Sequence, residues 1–176
     1  FVHAFLDGRD TDPRSGRGYV QDLQDELARI GAGRVATVSG RYWAMDRDKR
    51  WERVTKAWEA LVHGRGPTAG DPVAAIGASY EQDVTDEFVE PVVIVDEEGL
   101  PVATVADGDS VMFWNFRADR ARELTWAFMR EDFAEFETGP RPRLNYLCMT
   151  PYDQKMDLPV LFVPEELRNG LAEVFA

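Results

Sequence analysis

The sequence predicts an α/β layered domain in which a mainly parallel sheet is flanked by helices and joined by a β-hairpin. Three observations carry that prediction. Short apolar runs alternate with stretches of helical periodicity, the apolar runs end in turn-forming residues, and no heptad pattern, internal repeat or low-complexity tract breaks the alternation.

Residues 1–6 are a short apolar run closed by Asp7 and Gly8, the pattern of a buried strand and a sharp turn. Val20, Leu23, Leu27 and Ile30 then recur at helical spacing, and Gly31 and Gly33 punctuate the end of that helix. Residues 35–39 form a second strand, so a parallel strand-helix-strand unit with a right-handed crossover is expected. The next helix carries Trp51, Val54, Trp58 and Leu61 on one face, with Asp46 or Asp48 as N-cap and Gly64 near its close. The Gly-, Pro- and Ala-rich residues 64–77 predict a loop leading into a short helix. Residues 91–95 and 102–105, joined by a turn over 96–99, predict a hairpin on an edge or flap. Residues 111–116 form a strongly apolar strand, and Ala121, Leu124, Ala127 and Phe128 mark the helix after it. A further strand over 144–149 and a last helix over 165–175 complete the pattern.

With 176 residues, 44% of them hydrophobic, one compact domain is the natural expectation. The lone Cys148, in an apolar run, fits a small buried hydrophobe in a reducing compartment and excludes a disulfide framework. No run reaches the roughly 18 apolar residues of a membrane span, and no secretory leader opens the chain, so a cytoplasmic location and no membrane partner are expected. A net charge of -12 repels polyphosphate, which argues against nucleic acid as a partner. The chain opens at Phe1, inside a strand and without an initiating Met, and is expected to be a fragment of something longer.

Three segments stand just after expected strands: Asp7 to Asp10, Gly40 to Arg47, and Asn115 to Arg120. In open α/β sheets ligands bind beyond the carboxyl ends of the strands, so parallel strands would bring these loops to one edge. Arg9, Arg41, Arg47, Arg117 and Arg120 would then face one cleft, where crowded like charges call for an anion between them. The planar guanidinium fork suits carboxylate and phosphate oxygens, and Asp10 beside Arg9 could accept a substrate hydroxyl. The plainer alternative pairs these arginines with Asp46, Asp48, Asp119 and Glu123 in ordinary salt bridges. Of the two histidines, His3 lies inside a strand as a core residue and His63 sits near a helix end as a solvated cation, so no metal is expected in this chain.

The blocks FVHAFLDGRD (1–10), SGRYWAMDRDKRWERV (39–54), DEFV (86–89) and DGDSVMFWNFRADRARE (107–123) resemble the cofactor-independent phosphoglycerate mutases, in order and spacing. The resemblance implies an isomerase of glycolysis and gluconeogenesis that interconverts 3-phosphoglycerate and 2-phosphoglycerate. It also implies substrate contacts at Arg9, Asp10, Arg41, Arg47, Arg117 and Arg120, the same six side chains that the strand-end argument selects. By the same resemblance, the chain (1–176) is a substrate-binding domain lacking the alkaline-phosphatase-like domain. That domain would hold two manganese ions, a serine nucleophile and a lysine, so the fragment alone is expected to be inactive. Residues 139–164 match the family less closely. Two alternatives remain at this point: a non-enzymatic small-anion-binding module, and a haloacid-dehalogenase-like phosphatase built on Asp10 and Asp12.

Overall fold

The computed structural model describes residues 1–163, so the helix expected over 165–175 lies outside the described residues. Strand β1 (Val2–Leu6), helix α1 (Gly16–Ile30) and strand β2 (Val35–Gly40) form the expected crossover unit, with β1 and β2 parallel. Gly31 ends α1 in the left-handed conformation at φ 74°, where its N–H reaches back to the Leu27 and Ala28 carbonyls. Val20 is buried as its spacing predicts, while Ile30, at the last position, is 58% exposed.

A single turn, α2 (Arg41–Ala44), follows β2 directly, and α3 (Trp51–His63) packs Val54, Trp58 and Leu61 into the core. Asp46 is not the N-cap of α3. Its Oδ2 accepts the N–H groups of Asp48 and Arg50, both at 2.9 Å, and so braces the loop that leads into the helix. The stretch expected as a loop contains a two-residue strand, β3 (Thr68–Ala69), before α4 (Pro72–Glu81). Asp71 caps α4, accepting from the Ala74 N–H at 2.7 Å, with Pro72 at the first helical position.

Strand β4 (Val92–Ile94) lies inside the first sheet, whose order is β1-β2-β4-β3, antiparallel to β2 and parallel to β3. The hairpin is narrower than its sequence suggests: one antiparallel bridge, Val95 to Pro101, with Asp96 accepting from Glu98 and Leu100 across the turn. Strand β5 (Ser110–Phe113), helix α5 (Ala118–Met129) and strand β6 (Asn145–Cys148) complete the described elements, and β5 and β6 pair in parallel as a separate two-stranded sheet. Three of the four strand pairings are thus parallel.

All six β2 residues are buried because helices cover both faces of the first sheet. Val20, Val38, Ile76 and Ile94 fill one apolar cluster, toward α1 and α4. Trp58, Leu124, Phe128 and Tyr146 anchor the other, where α3 and α5 meet the second sheet. Cys148 is buried there, and burial pushes its thiol up to about 11, consistent with a packing role. His3, expected in the core, is half-buried and lines a cavity; its ring hydrogen-bonds Thr37 Oγ1 at 2.9 Å, and burial lowers its pKa to about 4. His63, expected to face solvent at the helix end, is half-buried instead: its ring bonds the Thr138 carbonyl at 3.0 Å, beside the Trp58 indole N–H at 3.1 Å from the same oxygen.

Asp86 ties the first sheet together beneath the strand ends. It is fully buried, accepts the Gly16 N–H at 2.7 Å at the start of α1, and takes the Tyr80 hydroxyl on its other oxygen. An Asp86→Ala variant should lose about 2 kcal/mol of stability in urea unfolding, because two buried donors are left without an acceptor.

Candidate functional site

The three arginine-bearing loops follow β1, β2 and β5, and they meet at one end of a cavity of about 950 Å³. Asp7, Asp10, Arg41, Asn115, Arg117 and Arg120 line it. Arg9 and Arg47 stand at its margin instead, held by neighbouring acids.

Arg41 is the most deeply set of the five arginines, its side chain 7% exposed. It follows Gly40, and its Nη1 donates to Asp10 at 2.9 Å and to Asp7. Partial burial of Asp7 works against ionisation, but the Arg41 hydrogen bond and the N–H groups of Asp10 and Arg9 hold its carboxyl below the usual range. Arg41 and Arg120 each keep a buried Nε with no partner in the protein. Arg120 donates from Nη1 to the Met45 carbonyl at 2.8 Å, and no carboxylate of the described residues pairs with it. Burial lowers its pKa, and the nearby charges of Arg41, Arg47 and Arg9 lower it further, only partly opposed by Asp119. Four guanidinium groups therefore share one electrostatic neighbourhood.

Asp119, in the first turn of α5, bridges Arg47 at 2.8 Å and Arg117 at 3.0 Å through one oxygen. Arg9 reaches Glu87 at 3.5 Å with its side chain 59% exposed. Ordinary salt bridging thus accounts for Arg9, Arg47 and Arg117 in this state, and falls short for Arg120. Asp10 faces the cavity with Arg41, whereas Asp12 accepts the Arg14 N–H at 2.9 Å in the loop. The two carboxylates of the Asp-x-Asp pair thus have different partners, Asp10 an arginine and Asp12 the backbone of its own loop.

Four acidic residues around the cluster had no place in the expected site. Asp7 was inside a selected segment yet unassigned, and Asp119 entered only as a competing acid. Glu123 and Asp46 form a buried carboxyl pair behind the cluster: Glu123 Oε1 accepts the Lys49 N–H at 2.8 Å, while its Oε2 has no partner. Burial raises Glu123 to about 7; the Lys49 N–H pulls back, and Asp46 and Asp48 push up again. A carboxyl raised from its usual 4.5 keeps its proton in the folded chain while the unfolded chain loses it. Stability should therefore fall by roughly 3 kcal/mol as pH rises from 4.5 to about 7 and level off above it, and Glu123→Gln should flatten that slope in denaturant titrations.

A family model described as the BPG-independent PGAM N-terminus matches residues 1–154. The chain belongs to that family.

Among curated members of the BPG-independent mutase family, the 2,3-bisphosphoglycerate-independent phosphoglycerate mutase of Moorella thermoacetica is 54% identical over 100% of this chain. The enzyme of the same name from Myxococcus xanthus is 53% identical, also over 100% of the chain. The chain spans about a third of each relative, 34% in both cases. A crystal structure of Leishmania mexicana phosphoglycerate mutase at low cobalt concentration superimposes with a TM-score of 0.90 at 35% identity, covering 96% of this chain and 32% of that one.

No group of three or more His, Cys, Asp or Glu side chains among the described residues could hold a metal ion. Nor is any helix of the described residues long and apolar enough to cross a membrane.

Proposed function

We propose that this chain is the phosphoglycerate-holding part of a longer mutase of glycolysis and gluconeogenesis that interconverts 3-phosphoglycerate and 2-phosphoglycerate in the cytoplasm. The observation that carries this is Arg120, a partly buried cation beside Arg41, Arg47 and Arg9 with no carboxylate of its own among the described residues. A small dianion entering the cleft would relieve that repulsion.

In this reading Arg41, Arg117 and Arg120 neutralise the carboxylate and phosphate, and Arg47 joins them as Asp119 shares its two partners with the ligand. Arg9 and Asp10 orient the hydroxyl-bearing carbons. The first turn of α5 adds backbone N–H groups at the anion. Holding glycerate between transfers keeps its second hydroxyl close to the phosphoryl donor and away from water. The chemistry of transfer lies in the partner phosphatase domain with its two manganese ions. Closure of one domain on the other delivers the substrate.

Two measurements test this. Calorimetry on the chain should show 3-phosphoglycerate binding at least about 10-fold more tightly than sulfate, a difference of about 1.4 kcal/mol. Equal affinities would reduce the site to a generic anion-binding module. With manganese and 3-phosphoglycerate supplied, the chain alone should form no 2-phosphoglycerate, and appreciable product would refute the division of labour.

A further inference from the structure

Arg117 belongs to neither of the elements beside it. Strand β5 ends at Phe113 and α5 begins at Ala118, so residues 114–117 form an irregular link between them. Trp114 and Phe116, the apolar residues of that link, are 69% and 66% exposed. Apolar packing therefore does little to fix the segment that brings Asn115 and Arg117 to the cleft.

Side-chain hydrogen bonds hold it instead. The Tyr152 hydroxyl donates to the Asn115 carbonyl at 2.6 Å and to the Phe113 carbonyl at 2.9 Å, sharing one proton between two acceptors. It also accepts the Met149 N–H at 3.2 Å, which leaves that proton aimed at the link. Thr150 Oγ1 donates to the Phe116 carbonyl at 2.8 Å, and Asn115 Nδ2 donates to the Arg117 carbonyl at 2.7 Å. The backbone leading to Arg117 is thus fastened largely by two side chains of one turn, Thr150 and Tyr152.

That turn has its own anchors. Arg122 Nε donates to the Tyr152 carbonyl and Trp126 Nε1 to Asp153 Oδ2, both at 2.8 Å, from positions one turn apart on α5. The buried Tyr152 ring packs edge-on against Phe113, with centroids 5.6 Å apart. A phenylalanine would fill the same space, so what the hydroxyl adds is its hold on the link.

We propose that Tyr152, with Thr150 beside it, is a positioning residue for the anion site: from behind the cleft it fixes the 114–117 link so that Arg117 meets the bound phosphoglycerate. The inference rests on the reading of that cleft as a phosphoglycerate site.

Tyr152→Phe tests it on the 176-residue chain, first without ligand. Trypsin should cut after Arg117 at least about 10-fold faster in the variant, while the cut after the exposed Arg65, just past α3, keeps its rate. Equal acceleration at both sites, or none after Arg117, would overturn the proposal. Calorimetry supplies the functional half. Tyr152→Phe should weaken 3-phosphoglycerate binding about 10-fold in the unaltered chain and less than about 2-fold in an Arg117→Met background, because a hydroxyl that acts through Arg117 then has nothing to position. Losses that add in the double variant would mark a general structural role and overturn the proposal, as would an Arg117→Met variant that binds at full strength. Thr150→Val should shift both readouts in the same direction and Thr150→Ser should restore them, and this pair decides the matter if Tyr152→Phe does not fold. A chain whose Arg117 cut responds as expected, yet which binds 3-phosphoglycerate no better than sulfate, would uphold the hold on the link while refuting the functional reading.

Discussion

Arg120→Met should weaken 3-phosphoglycerate binding by at least about 100-fold, about 2.7 kcal/mol, while leaving the melting temperature unchanged or higher. A charge-assisted hydrogen bond contributes about 1.5–3 kcal/mol, and a guanidinium offers two to one anion, so the affinity loss follows from one side chain. The stability result is the more telling half. Arg120 lies partly buried near Arg41, Arg47 and Arg9, with an unpartnered Nε and only the Met45 carbonyl to accept from it. Methionine keeps the packing of the aliphatic stem and removes the repulsion, so the fold loses one carbonyl contact and gains electrostatic relief. Calorimetry for affinity and a thermal melt on the same preparations decide the matter. A variant that binds as tightly as the unaltered chain would end the arginine-cluster account.

Gly40→Ala should destabilise the chain by about 4 kcal/mol, above the usual cost of overpacking because backbone meets backbone. A methyl group at that position would lie 2.5 Å from the Asp86 carbonyl oxygen and closer still to that of Glu87. Neither can swing away like a side chain, because Gly40 N–H also bonds the Val89 carbonyl at 2.7 Å and Asp86 is pinned through Gly16 and Tyr80. The melting temperature should drop by about 10 °C for a chain of this size. Any protein that still folds should bind 3-phosphoglycerate weakly, since Arg41 is the next residue and depends on the end of β2 for its place. Wild-type stability would show that the turn after β2 can relax, and that Arg41 is not held by the backbone as described.

Local pattern was enough for the strand-helix-strand unit, for the aromatic face of α3 and for the helix after β5, because periodic burial writes itself into adjacent residues. It failed for β3, two residues long and made a strand only by pairing with Val93 and Ile94. It also put the hairpin that contains β4 on an edge or flap, although Val92, Val93 and Ile94 are buried between β2 and β3, since a continuous apolar run does not say which neighbours it will have. His63 is a similar case. Its sequence position is a helix end, but its partner, Thr138, lies 75 residues away.

Composition, periodicity and the spacing of Arg9, Asp10, Arg41, Arg47, Arg117 and Arg120 were sufficient, by themselves, to determine the α/β class and to select the loops that meet at the cleft. Strand ends can be located from local pattern, and parallel strands carry their following loops to one side. Tertiary structure alone decided which guanidinium groups are quenched and which is not: Asp119 takes Arg47 and Arg117, Asp7 and Asp10 take Arg41, and Arg120 is left with a carbonyl. Partner choice depends on distances of a few ångströms between residues remote in the chain, which no linear spacing encodes.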